Sequence, residues 1–147
     1  MMTLPDLWVN FLRLLPLKVV EASPYFGTFV LIKVVTSDGQ DIKIRALMCD
    51  WCLKNKNKIL VSSGGEMEKC KQDFHSLVGS QLIDIAKNEG ECLELIFDTG
   101  KSFVLIANLE QYENDDELIT IYVPGQYEIR YTPSKGFQKE FDQPTLH

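Results

Sequence analysis

The sequence lacks an excess of positive charge. Lysine and arginine number 15 against 21 aspartates and glutamates, a formal net charge of −6. The chain as a whole therefore repels phosphate polymers and anionic bilayers, and neither nucleic acid nor a membrane is expected as its partner. It also lacks the run of about 18 apolar residues that a helix needs to cross a bilayer. Histidine is scarce: with only His75 and the terminal His147, a Ser-His-Asp or Cys-His centre would have to be built on His75. No Walker loop, no G-x-G-x-x-G and no Asp-x-Asp-x-Asp-Gly loop occurs, so the common phosphate and calcium signatures are missing and no cofactor is expected. The four cysteines, Cys49, Cys52, Cys70 and Cys92, are too few and too unevenly spaced for a disulfide framework. Reduced thiols in the cytoplasm are the expectation. Met1 to Pro16 carries Asp6, Asn10 and Arg13 inside its apolar stretch and reads as mature sequence, not as a secretory signal.

What is present suits one domain. The chain has 147 residues, 45% of them hydrophobic, enough to bury a real core. Thr3-Leu4-Pro5-Asp6 has the form of a helix start, and Leu7, Phe11, Leu14 and Leu15 recur at helical spacing until Pro16. A second helix is expected over Glu66 to Val78, with Ser63 and Glu66 as a capping box and Gly79 as its left-handed end. Elsewhere the period is two. Strands flank Asp38-Gly39, Thr99-Gly100 and Pro124-Gly125, each read as a two-residue hairpin turn, although Pro-Gly fits a tight hairpin poorly. These turns would put Leu31, Lys33, Val35, Ile42, Ile44 and Ala46 on one face, and Leu118, Tyr122, Tyr127, Ile129 and Tyr131 on another. Met48 to Asn57 reads as a Lys/Asn-rich connection before a strand at Ile59-Leu60-Val61. The expected fold class is α+β: a mainly antiparallel twisted sheet of hairpins covered by two helices, in a single domain over 1–132 with a loosely held tail over 133–147. Gly27 and Gly79 each begin an apolar run that leads through a turn into a second strand, an echo whose spacings differ too much to establish a repeat.

Few residues offer chemistry. Cys49 and Cys52, three apart, could hold zinc with Cys70 and His75 as a Cys₃His set, but Cys70 lies on the apolar stripe of its helix, where a free cysteine is ordinarily a small hydrophobe. No metal is expected. Lys54, Lys56 and Lys58 beside Trp51 have the look of a small nucleic-acid contact and equally of a solvated loop. The clearest asymmetry is in charge: residues 1–73 hold 10 basic and 8 acidic groups, whereas residues 74–147 hold 5 and 13. Glu110, Glu113, Asp115, Asp116 and Glu117 crowd one connection without an intervening cation, and Tyr112 and Tyr122 stand beside them. Such a cluster attracts a basic partner, and tyrosine buries area there at low entropic cost.

Leu77 to Ile85, Leu93 to Gly100 and Phe103 to Ile106 resemble a strand-plus-hairpin module of small uncharacterised bacterial α+β proteins, some immunity proteins of toxin systems among them. The resemblance covers about 30 residues and implies only that a partner-binding role has precedent in similar chains. The expected function is a non-catalytic cytoplasmic protein that docks a basic protein through an acidic C-terminal surface, with Glu110, Tyr112, Glu113, Asp115, Asp116, Glu117 and Tyr122 in contact. The rivals are a small enzyme or ligand-binding protein with a pocket between helices and sheet, and an assembly subunit.

Overall fold

A computed structural model describes residues 9, 11–25, 29–88, 92–107, 116–125, 127–132 and 134–141. It contains β1 (Leu17–Pro24), β2 (Val30–Val35), β3 (Asp41–Ala46), β4 (Asp50–Asn55), β5 (Lys58–Ser62), α1 (Met67–His75), β6 (Gln81–Asn88), β7 (Cys92–Phe97), β8 (Lys101–Ile106), β9 (Ile119–Val123), β10 (Tyr127–Thr132) and β11 (Gly136–Phe141). All eleven strands join one antiparallel sheet in the order β11-β10-β9-β3-β2-β1-β6-β7-β8-β4-β5. The α+β expectation is thereby overturned: the fold is dominated by antiparallel sheet, and α1, a single short helix, is the one helix whose whole length is described. Of the expected N-terminal helix, Val9, Phe11 and Leu12 are helical, while residues 1–8 and 10 lie outside the described set.

A flat sheet is impossible here. Six strand spacings separate β3 from β4 in the sheet, roughly 29 Å at the usual ~4.8 Å, whereas the three-residue link Leu47–Cys49 spans about 14 Å at most. The sheet therefore folds over on itself and encloses one core, in which Val30, Ile32, Val34, Ile42 and Ile44 of one half share a cluster with Leu93, Leu95, Phe97, Phe103 and Leu105 of the other. Lys87 of β6 lies 5.4 Å from the ring centre of Tyr131 on β10, so these distant strands meet across the fold.

The strand order has an internal two-fold character. Exchanging β1 to β5 with β6 to β10 reverses the ten-strand order β10-β9-β3-β2-β1-β6-β7-β8-β4-β5 and leaves it unchanged. Each unit is a three-strand meander followed by a hairpin, and each hairpin leaves its own meander to pair with the other unit: β4 with β8, and β9 with β3. The units meet where β1 pairs with β6, at Lys18↔Gln81. Both first strands carry an irregularity at the same place, between Val19 and Glu21 and between Leu82 and Asp84. At that one displacement along the chain, Phe11, Val19, Ile32 and Val34 correspond to Phe74, Leu82, Leu95 and Phe97, every one of them buried. The plan occurs twice, interlocked.

All three hairpins correct the expected registers in the same direction. The pairs Val35↔Asp41, Ile96↔Ser102 and Val123↔Tyr127 make each loop one residue wider than a two-residue turn. In two of them glycine takes the third loop position with positive φ, Gly39 at 89° and Gly100 at 86°, the geometry of a type I turn closed by a left-handed residue. One residue of slip moves every side chain to the other face. Val30, Ile32 and Val34 are therefore the core residues of β2, in place of Leu31, Lys33 and Val35.

Two further expectations change. The Lys/Asn-rich connection is largely β4, whose Trp51 and Leu53 are buried. The capping box does not form: Glu66 is the N-cap residue without a side-chain bond, and the Ser63 hydroxyl instead accepts the Trp51 N–H at 3.1 Å. The expected tail contains β11, which pairs with β10 from Tyr127↔Phe141 to Thr132↔Gly136.

Candidate docking surface

Of the acidic region that the sequence singles out, Asp116 and Glu117 are described, at the entry to β9, and Tyr122 lies on that strand. With the corrected register Tyr122 lies outward between Lys43 and Glu128, and Thr120 lies between Arg45 and Arg130. Tyr127 and Tyr131 turn inward and are buried, so the expected stripe of Tyr122, Tyr127 and Tyr131 on one face does not exist. Burial raises the Tyr127 phenol above its ordinary value.

Glu117 is held from two sides. The Thr120 hydroxyl donates to its carboxylate at 3.1 Å, and the Arg130 guanidinium stands 3.6 Å away while also reaching Glu128 at 3.4 Å. These side chains are about a third exposed, so the pairs add little stability. They do lower the local negative charge, and the sequence reading of a cluster without a compensating cation is corrected at Glu117. Asp116 is half-buried. Glu110, Tyr112, Glu113 and Asp115 lie outside the described residues.

The swap of hairpins brings an apolar surface against this acidic entry to β9. The Met48 N–H donates to the Glu117 carbonyl at 2.9 Å and the Leu47 N–H to that of Leu118 at 3.0 Å. Beside Leu47 a shallow cleft of about 170 Å³ is lined by Tyr25, Phe29, Val30, Leu31, Arg45 and Ala46. Tyr25, Phe29 and Met48 are 45%, 44% and 38% exposed. The sequence reading missed all three. A signal existed: Tyr25 and Phe29 flank Gly27 just after Pro24, and aromatics beside a Pro/Gly turn sit at a loop tip and not in a core.

The candidate zinc residues are not brought together. Cys49 is buried and its thiol donates to the Leu118 carbonyl at 3.7 Å. Cys52 lies on β4, where alternation turns it away from the face of Trp51 and Leu53. Cys70 donates to the Ser62 carbonyl at 3.8 Å. His75, exposed at the end of α1, lines an open groove of about 560 Å³ with Val20, Glu21, Glu68, Lys71 and Val78, and no thiol or tyrosine lines it. Among the described residues no group of three His, Cys, Asp or Glu is placed to hold a metal.

Burial pushes the Cys49 thiol from an ordinary 9.0 up to about 12, helped by the nearby Asp50 carboxylate, and burial raises Cys52 and Cys70 in the same direction. A thiol that stays protonated in the folded state contributes stability below about pH 9, which is lost as pH climbs toward 12, because the unfolded chain ionises first. The urea midpoint is thus expected to fall between about pH 8 and about pH 10.5, and to fall less in Cys49→Ala. An unchanged slope in that variant would remove Cys49 as the cause.

Comparison of the chain with protein-family models, with curated proteins and with solved structures finds no match. No helix among the described residues is long and apolar enough to cross a membrane.

Proposed function

We propose that this chain is a non-catalytic cytoplasmic binding protein, immunity-like in kind, that docks a basic protein partner at the entry to β9. One observation carries the reading. The acidic segment ending in Asp116 and Glu117, from the second unit, is bonded through its backbone to Met48 of the first, beside exposed Tyr25 and Phe29. Carboxylates next to exposed aromatics fit a partner that offers lysine or arginine around an apolar anchor. Arg130 occupies part of that field at Glu117. Support for a non-catalytic role comes from Cys49, Cys52 and Cys70, whose thiols burial holds protonated and therefore weakly nucleophilic. Nucleic acid and membrane surfaces are not the proposed partners, since the whole chain is acidic.

Affinity capture tests this. Protein retained by the wild type in about 0.05 M salt should elute by about 0.5 M, because screening shortens the reach of surface charge. The variant with Asp115→Asn, Asp116→Asn and Glu117→Gln should retain about tenfold less, mainly through slower association. Equal retention by the neutralised variant would exclude the acidic surface as the docking site.

A further inference from the structure

The two-fold strand plan has one break. β10 carries β11 on its outer side, while its counterpart β5 is the last strand of the sheet and has no described strand beyond it. Such a strand presents outward N–H and C=O groups in the same pattern that β11 satisfies on β10. The surroundings of β5 are basic. Lys54, Lys56 and Lys58 cluster about the β4–β5 turn, and Lys56 reaches across to Gly100, next to Lys101. Among the described residues none of these four lysines forms an ion pair; Lys101 donates to the Ser76 hydroxyl at 2.7 Å.

Lys56 also breaks a local rule. Its φ is +56°, which makes it the one described non-glycine residue in the left-handed region. A two-residue turn of this kind ordinarily has Asn, Asp or Gly there, and a lysine costs conformational energy; the turn is held by the Lys56 N–H, which donates to the Gly100 carbonyl at 2.9 Å. Beside it Ile59 is 60% exposed, the most exposed large apolar side chain described.

We propose that the β5 edge is a second interaction surface, which takes an acidic protein segment in extended conformation as an added strand, with its carboxylates on Lys54, Lys56 and Lys58 and an apolar side chain against Ile59. A peptide is favoured over nucleic acid because the open groups are main-chain donors and acceptors, and because the rings of Trp51, Phe74 and Phe103 are buried and unable to stack on bases. The site is separate from the acidic surface at β9, and its test does not depend on that reading.

The probe is a synthetic peptide of about ten residues alternating glutamate and valine, titrated by fluorescence anisotropy. The wild type should bind it. The Lys54→Glu, Lys56→Glu, Lys58→Glu variant, with an unchanged thermal midpoint, should bind at least about tenfold more weakly. The same peptide N-methylated at alternate residues should lose binding to the wild type, since methylation removes the ladder donors and leaves every charge in place. No binding of the peptide, equal binding of its N-methylated form, or tighter binding of a single-stranded oligothymidylate would each overturn the proposal.

Discussion

Phe74→Ala is expected to lower the free energy of unfolding by about 3–5 kcal/mol, the range for truncating a fully buried phenylalanine. Phe74 has no exposed surface, and its ring meets Trp51 at 5.2 Å and Phe103 at 5.3 Å, both nearly edge-on, while Trp51 and Phe103 stand 5.8 Å apart. The three rings come from α1, from the hairpin that leaves the first unit, and from the meander of the second unit that receives it. Their mutual geometry adds to the burial of their area. A void at Phe74 loosens the place where the exchange of hairpins is fastened, and the core around it cannot collapse without moving two strands. For a domain of this size the loss is a large part of the whole stability. Val78→Ala, 39% exposed on the turn after α1, should change stability by less than about 0.5 kcal/mol. Urea titration of both variants measures this, and a loss below about 1 kcal/mol at Phe74 would show that the ring is not wedged as described.

Cutting the chain between Gly64 and Gly65 should have a larger effect. The loop is exposed and Gly64 sits at a φ of 85° with open space around it, so the cut touches little beyond the bond from the Gly65 N–H to the Ser62 carbonyl at 3.0 Å. Yet the fragment 1–64 retains β3 without β9 and the β4–β5 hairpin without β8, and the fragment 65–147 has the reciprocal gaps. Each exposes Val, Ile and Leu faces that the other covers. Both fragments should be unfolded or aggregated alone and should recover the native circular dichroism spectrum when mixed in equal amounts. A fragment 1–64 that folds by itself into a stable monomer would mean that the first unit closes on its own hairpin.

Much of this fold can be read from the residues, and the failures have local causes. Alternation at Val30 to Val34, Leu93 to Phe97 and Leu118 to Val123 identifies strands because the core selects every second side chain. It does not reveal loop width, since Asp38-Gly39, Thr99-Gly100 and Pro124-Gly125 can stand in two-residue and three-residue turns alike, and the resulting slip turns one strand of each hairpin over relative to its partner. β4 was hidden because Lys54 and Asn55 give its end the composition of a loop, while Trp51 and Leu53 supply its alternation. The repeat is hidden because its common spacing ends at the second turn: Phe11 and Phe74, Val19 and Leu82, and Ile32 and Leu95 share it, whereas Gly39 and Gly100 do not. The acidic residues of the docking surface were legible as charge. Their neighbours Tyr25, Phe29 and Met48 were not, because only the exchange of hairpins brings them to β9.

That exchange therefore underlies both the core and the docking surface, and nuclear magnetic resonance tests it directly. Cross-strand contacts between the backbones of Leu53 and Phe103, and of Ile44 and Ile121, are expected from the observed pairing. Backbone contacts that instead joined β3 to β4 and β8 to β9, each unit closing on its own hairpin, would contradict the interlocked fold and remove the composite surface with it.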